Sequence, residues 1–338
     1  MSLTRRSFIA LAASVTAIPA SASETGLRDL AARKGIIYGA AAANYELKNA
    51  AFNSALLREA AMLSPEYEMK RNALQPSADN YDFVPADALV AFAQGHGLKA
   101  RGHALVWYHS NPPWLEEAVL ATRKETLITD YIAKVAGRYR GRMHSWDVVN
   151  EVLKPSDGRA DSLRDDFWMK AFGPAYIDIA FHAARAADPN ALLVYNDWGC
   201  ELDDRFRAAT LKFLDAAIAR RVPIDALGLQ GHLSAFGPQV DQEKLRKFLD
   251  DVKSLGLRIL VTEHDVDDSG GASDIAIRDR AVADASRRFL DVVADNSATD
   301  AVLTWGLSDL FIAPARKLPL DSAMKRKPMW QAMAKALS

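Results

Sequence analysis

The chain contains a single cysteine, Cys200, so no internal disulfide can form. No histidine lies near Cys200 in sequence, and the thiol reads as a packed small residue rather than a nucleophile. Surplus charge is also missing. The 42 Lys and Arg against 43 Asp and Glu leave a formal net charge of −1, and no basic run follows the N-terminus. That excludes the electrostatic footprint of a nucleic-acid binder. The apolar run at residues 9–18 is too short to cross a bilayer. There is no internal repeat, low-complexity segment or linker, and the body of the chain reads as one domain. A Gly-rich phosphate loop is absent too. The first β-type run ends in Gly39-Ala40-Ala41-Ala42-Ala43-Asn44, which argues against an open doubly wound nucleotide-binding sheet.

What is present begins with an export signal. Thr4-Arg5-Arg6-Ser7-Phe8-Ile9 reads as a twin-arginine motif, and Pro19-Ala20-Ser21-Ala22 carries small residues at a signal-peptidase spacing. Residues 1–22 are therefore expected to be a cleavable twin-arginine-type signal peptide and 23–338 the folded domain. The protein is expected in the periplasm or secreted, with no membrane span after cleavage. Folding in the cytoplasm before export suits a chain without disulfides.

With 49% hydrophobic and 25% charged residues, the remainder is an ordinary globular composition with a large core. Short β-type runs alternate with helical patterns. Strands are expected at 36–42, 61–69, 99–107, 144–151, 191–197, 226–232, 258–266 and 301–309. Helices are expected at 44–58, 85–95, 124–138, 172–187, 203–220, 241–255, 274–293 and 327–336. Several helices open near an Asp, which suits a helix N-terminus. Strand–helix alternation repeated eight times predicts an α/β fold, the (β/α)8 TIM barrel, in a single domain.

In such a barrel, chemistry sits where strands end. Those ends carry Glu66, Glu68 and Lys70; His103 and Trp107; Asn150 and Glu151; Asn196, Asp197 and Trp198; Gln230 and His232; Glu263, His264 and Asp265; Trp305 and Asp309. Two carboxylates at two strand mouths, Glu151 and Glu263, are what glycosidic bond cleavage requires: one to protonate the leaving oxygen, one ionised. Glu263 and Asp265 are two apart and share a face. His232 beside them would bridge the pair and keep Glu263 ionised. Trp107 and Trp305 suit sugar-stacking walls, and Lys70 and Glu66 suit bonds to hydroxyls.

These motifs resemble glycoside hydrolase family 10, the retaining endo-β-1,4-xylanases. The similar segments run in order: Pro65-Glu66-Tyr67-Glu68-Met69-Lys70, Arg101-Gly102-His103-Ala104-Leu105-Val106-Trp107, Trp146-Asp147-Val148-Val149-Asn150-Glu151, Asn196-Asp197-Trp198, Gly228-Leu229-Gln230-Gly231-His232, Thr262-Glu263-His264-Asp265 and Thr304-Trp305-Gly306. The resemblance implies Glu151 as acid/base and Glu263 as nucleophile. It also implies Asn150 on the sugar 2-hydroxyl, with His103, Lys70, Trp107, Gln230 and Trp305 lining that subsite and His232 supporting Glu263. The implied partner is xylan or a xylo-oligosaccharide, acted on by a monomer without cofactor or metal.

Departures from the family pattern fall on the glycone side. Tyr67 and Arg71 replace an Asn and a Trp. Ser110 or Asn111 stands where a glutamine sugar contact is usual. The family's second Trp falls near Ala313, where this chain has Phe311 as the nearest aromatic. They leave open another β-linked glycan or short oligosaccharides as substrate. A metal-dependent hydrolase built on His103, His232 and Asp309 is the competing chemistry, without the His-x-His such sites carry on the first strand. A non-catalytic sugar-binding barrel would not need both glutamates. The Asp268-Ser269-Gly270-Gly271 loop is acidic and reads as a plain turn rather than a phosphate site.

Overall fold

The computed structural model describes residues 25–338. The expected signal peptide at 1–22 lies outside the described residues. Among the described residues, no helix is long and apolar enough to cross a membrane.

Eight parallel strands close a barrel: β1 Ile37–Ala42, β2 Met62–Pro65, β3 Lys99–Gly102, β4 Ser145–Asn150, β5 Leu192–Asp197, β6 Ala226–Leu229, β7 Arg258–Asp267 and β8 Thr299–Thr304. Each pairs with its neighbours in order. Closure comes from β8 pairing with both β7 and β1. β4 is buried at every residue, as a strand with the barrel core on one side and helices on the other must be. Met62, Val194, Ala226, Leu260, Ala301 and Leu303 form a separate inner core. The larger apolar core lies between strands and helices. On β3, Gly102 has no Cβ because the Trp146 ring fills that space; a Cβ would lie 2.0 Å from it.

The expected elements stand, with bounds corrected by turn chemistry. β2 ends at Pro65, four residues before the expected 69. The third strand breaks after Gly102 and resumes as Val106–Trp107 against β4. The sixth breaks after Leu229 and resumes as His232–Ser234 against β7. The eighth stops at Thr304, so Trp305 lies just past it and Asp309 sits in a 3-10 turn, Asp309–Phe311. The first helical stretch is two helices, Asn44–Leu47 and Ala50–Glu59. Helices at Leu27–Arg33, Pro113–Thr122 and Phe167–Phe172 were not expected. The Asp residues read as helix starts are N-caps: Asp203, Asp241 and Asp274 each accept from backbone N–H groups of the first turn.

Candidate active site

Strand register assembles the site. Trp107 pairs with Asn150, Asn150 with Asn196, and Asn196 with Gly228. Four neighbouring strand ends are thus level. Gly228 makes this layer possible, because a Cβ there would lie 2.4 Å from the Asn196 side-chain oxygen. Asn196 spans the layer. Its Nδ2 donates to Asn150 Oδ1 and to Glu263 Oε1, both at 2.8 Å, and its Oδ1 accepts from Thr262 Oγ1 at 2.7 Å.

A cavity of about 360 Å³ opens above, lined by Lys70, His103, Trp107, Glu151, Trp198, Gln230, His232, Glu263 and Trp305. Lys70 Nζ stands 5.7 Å from the Trp107 ring centre and 5.8 Å from that of Trp305. His103 packs edge-on between the same two rings. Of the expected site residues, Glu66 lies outside this wall, where its charge is felt by Lys70 and Lys317. Asn150 lies beneath it.

Glu263 is buried, and burial alone would raise its carboxyl. Its neighbours reverse that. His103 Nδ1 lies 3.7 Å from Oε1, His232 Nε2 lies 3.4 Å from Oε2, and Asn196 donates; together they hold the group down to about 2. His232 Nδ1 also bonds Asp265 Oδ1 at 2.8 Å. Burial works against charging this imidazole, yet Asp265 and Glu263 raise it to about 10. At neutral pH that makes His232 an imidazolium between two carboxylates. Lys317 pairs with the far oxygen of Asp265. Beneath, His103 Nδ1 bonds Asp147 Oδ2 at 2.8 Å, and Arg101 is paired with the other Asp147 oxygen.

Glu151 is set differently. It follows the last strand residue at φ 57°, a left-handed conformation that costs a non-glycine residue roughly 1–2 kcal/mol. Two bonds hold its backbone there. Its N–H donates to Asn196 O at 2.9 Å, and its carbonyl accepts from Arg164 Nε at 2.7 Å. Its Oε1 accepts from Gln230 Nε2 at 3.2 Å and Asn150 Nδ2 at 3.3 Å, and Arg164 lies 3.8 Å from Oε2. Arg164 stacks over Tyr108, 4.1 Å from its ring centre. Two carboxylates of unlike surroundings thus face one cavity, linked through Asn150 and Asn196.

The metal triad weighed from sequence does not assemble. Asp309 bonds Lys327 Nζ at 2.7 Å. Ligand atoms of His103, Asp147 and Glu263 do lie within 4.8 Å of one another. However, Arg101 and His103 already occupy Asp147, and a guanidinium on the ligand repels a cation. These groups are built as a hydrogen-bond chain.

The departures resolve individually. Arg71 is buried behind the cleft, its guanidinium 4.0 Å over Tyr131 and near Trp114 and Trp168. Asn111 turns inward and donates to Trp107 O at 2.8 Å. Phe311 packs edge-on against Tyr45 and Phe52. Tyr67 is half exposed. Cys200 is buried against Thr210. The sequence gave no role to Asn196, Asp147, Arg101 or Arg164. The level of Asn196 with Asn150 was the available signal for the first.

Comparison with known proteins gives one consistent result. The model of glycosyl hydrolase family 10 matches residues 26–336. The chain is 33% identical to endo-1,4-beta-xylanase B of Thermotoga neapolitana, over 84% of this chain and 82% of that protein. It is 32% identical to endo-1,4-beta-xylanase C of Paenibacillus barcinonensis over 94% of this chain, which spans only 32% of that longer protein. Among solved structures, xylanase 10B from Thermotoga petrophila in complex with xylobiose superimposes with a TM-score of 0.83 at 29% identity, covering 93% of this chain and 97% of that one.

Proposed function

The chain belongs to glycosyl hydrolase family 10, and from that premise we propose that it is a retaining endo-1,4-β-xylanase in which Glu263 is the nucleophile and Glu151 the acid/base. In the first step a Glu263 oxygen attacks the anomeric carbon of the bound xylose. Glu151 gives its proton to the glycosidic oxygen, and the leaving chain departs as an alcohol. A covalent glycosyl ester remains on Glu263. In the second step Glu151 takes a proton from water, the water oxygen attacks the same carbon, and Glu263 leaves as carboxylate. Two inversions return the β configuration.

The observation that carries this reading is the contrast between the two carboxylates. Glu263 is held ionised by His232, His103 and Asn196. Glu151 sits opposite on a turn, with Gln230 and Asn150 at one oxygen. Lys70, His103, Trp107 and Trp305 form a box of aromatic walls with polar groups between them, suited to a sugar ring. Asn150, Gln230 and Glu66 complete the assigned substrate contacts.

Glu263→Ala should lose activity on xylan by several orders of magnitude. Retention of more than about a tenth, a barrier change below roughly 1.4 kcal/mol, would remove Glu263 from the nucleophile role. Glu151→Ala should be rescued by azide on an activated aryl glycoside, yielding the β-glycosyl azide. An α-azide would exclude retention.

A second reading, short oligosaccharides or another β-linked glycan, is favoured by one feature. Asn111 and Phe311 are committed to protein contacts on the glycone side. Product profiles on xylan, β-glucan and defined xylo-oligosaccharides decide between them. We also propose that residues 1–22 direct export through the twin-arginine pathway and that the mature domain, residues 23–338, acts as a monomer. Replacing Arg5 and Arg6 by Lys should trap the precursor in the cytoplasm.

A further inference from the structure

His264 lies between Glu263 and Asp265 on β7, so strand alternation turns it away from the cavity. Its ring is fully buried and fully bonded. Nδ1 lies 2.8 Å from Gly231 O, Nε2 lies 2.9 Å from Ser286 Oγ, and the Phe289 ring packs beside it. A carbonyl oxygen can only accept, so Nδ1 carries the proton and Nε2 accepts from the Ser286 hydroxyl. Burial pulls this imidazole down to about 4, and it is neutral at working pH.

The Gly231 peptide is gripped from the other side too. Its N–H donates to Glu201 Oε1 at 2.8 Å, and it sits at φ +75°, where a side chain is strained. The next residue is His232, whose ring holds Glu263 and Asp265, the two neighbours of His264. The contacts close a ring: His264 to Gly231, Gly231 to His232, His232 back to both flanks of His264. An apolar residue at 264 would fill the same space but remove the ring donor to the Gly231 carbonyl and leave the buried Ser286 hydroxyl without its acceptor.

We propose that His264 is a positioning residue, which through the Gly231 carbonyl sets the height and tilt of His232 and so keeps Glu263 aimed and ionised. The proposal rests on Glu263 being the nucleophile. The titratable and charged groups facing this assembly are Glu263, Asp265 and Glu201 around His232, Lys317 on Asp265, and His103 beside Glu263. The neutral His264 adds no charge of its own, so its influence is geometric.

The test is the pH profile of kcat/KM, with kcat and KM, on an aryl β-xylobioside. In the unaltered enzyme the acid limb should lie below the ordinary carboxylate range. His264→Leu should lower kcat about tenfold or more, roughly 1.4 kcal/mol of barrier, leave KM nearly unchanged and move the acid limb upward. His264→Asn places an amide N–H where Nδ1 was and should restore both. His264→Gln reaches Ser286 rather than Gly231 and should behave like the Leu variant. A folded His264→Leu with the original kcat and acid limb overturns the proposal. If the Leu variant does not fold, identical behaviour of the Asn and Gln variants overturns it. Glu263→Ala, run alongside, reports on the nucleophile alone. If it keeps more than about a tenth of activity, the reading beneath the proposal fails whatever the His264 variants do.

Discussion

Asn196→Ala opposes two effects whose magnitudes can be compared. Asn196 donates to the Glu263 carboxylate at 2.8 Å and to Asn150 Oδ1 at 2.8 Å. A hydrogen bond to a charged group contributes about 1.5–3 kcal/mol. Because this bond stabilises the carboxylate before it attacks, its loss alone would make Glu263 more nucleophilic. Against that, the bond also fixes the carboxylate's rotation, and displacement of a reacting group by an ångström costs on the order of 10²-fold. Asn150 loses its anchor in the same change, and with it the placement of its amide toward the sugar. Partial softening of a nucleophile recovers about one decade; two misplaced groups lose more. The expected result is kcat reduced by roughly 10²-fold, KM little changed, and the acid limb of kcat/KM raised as Glu263 loses a donor. Asn196→Asp keeps the shape but sets a second carboxylate against Glu263 Oε1, which must raise one of the two; its acid limb should move further. The assay is steady-state hydrolysis of an aryl β-xylobioside from pH 3 to 9, with circular dichroism to confirm the fold. An unchanged or increased kcat in Asn196→Ala, with the acid limb unmoved, refutes the claim that this amide aims the nucleophile.

Two further outcomes concern stability. The Glu263 carboxyl is lowered from 4.5 to about 2, so its contribution is present above pH 4.5 and is lost as pH falls toward 2. The His232 imidazole is raised from 6.5 to about 10, so its contribution is complete below pH 6.5 and is lost as pH rises through 10. In Tm measured against pH, His232→Asn should therefore lose part of the alkaline decline between these values, and an identical decline in both proteins would contradict the imidazolium. Separately, the fully buried Glu59 accepts from Leu27 N, Arg58, Arg326 and Trp330 Nε1. Glu59→Ala should destabilise by about 3 kcal/mol and lower Tm by several degrees, while activity per folded molecule stays the same; an unshifted Tm would refute the clamp.

What could be read from sequence was whatever depends on local periodicity. Alternation placed Glu263 and Asp265 on one face, and the abrupt polar end of Trp146-Asp147-Val148-Val149-Asn150-Glu151 marked a barrel mouth. What could not be read depends on contacts made across the chain. The helix Leu27–Arg33 is short, and part of what anchors it is far away in sequence: Lys34 reaches Ala336 O, and Leu27 N reaches Glu59. The helix Pro113–Thr122 hid behind Pro112-Pro113, a pair that reads as loop, although a proline in the first helical turn loses no hydrogen bond. Arg71 reads only as a departure on the glycone side until Tyr131, Trp114 and Trp168 arrive from later in the chain to enclose it. Asn196 was visible as a strand-end residue, but its role needed the register that levels it with Asn150.

The same register explains why the two glutamates can do opposite work. Glu263 lies within the long strand β7, where its N–H bonds Gln230 O and its oxygens meet donors from β5 and from the His232–Ser234 segment. Its charge is compensated before substrate arrives. In the proposed mechanism it becomes an ester and that charge disappears, so an imidazolium matched to Glu263 alone would be left uncompensated. Asp265, shared with Lys317, stays bonded to His232 through that change. In the proposed mechanism the proton passes through Glu151, which lies past the end of β4 in a left-handed conformation clamped by Asn196 and Arg164. Under the proposed mechanism, charge compensation on one strand and proton transfer at the end of another would let a single cleft run both steps of a double displacement.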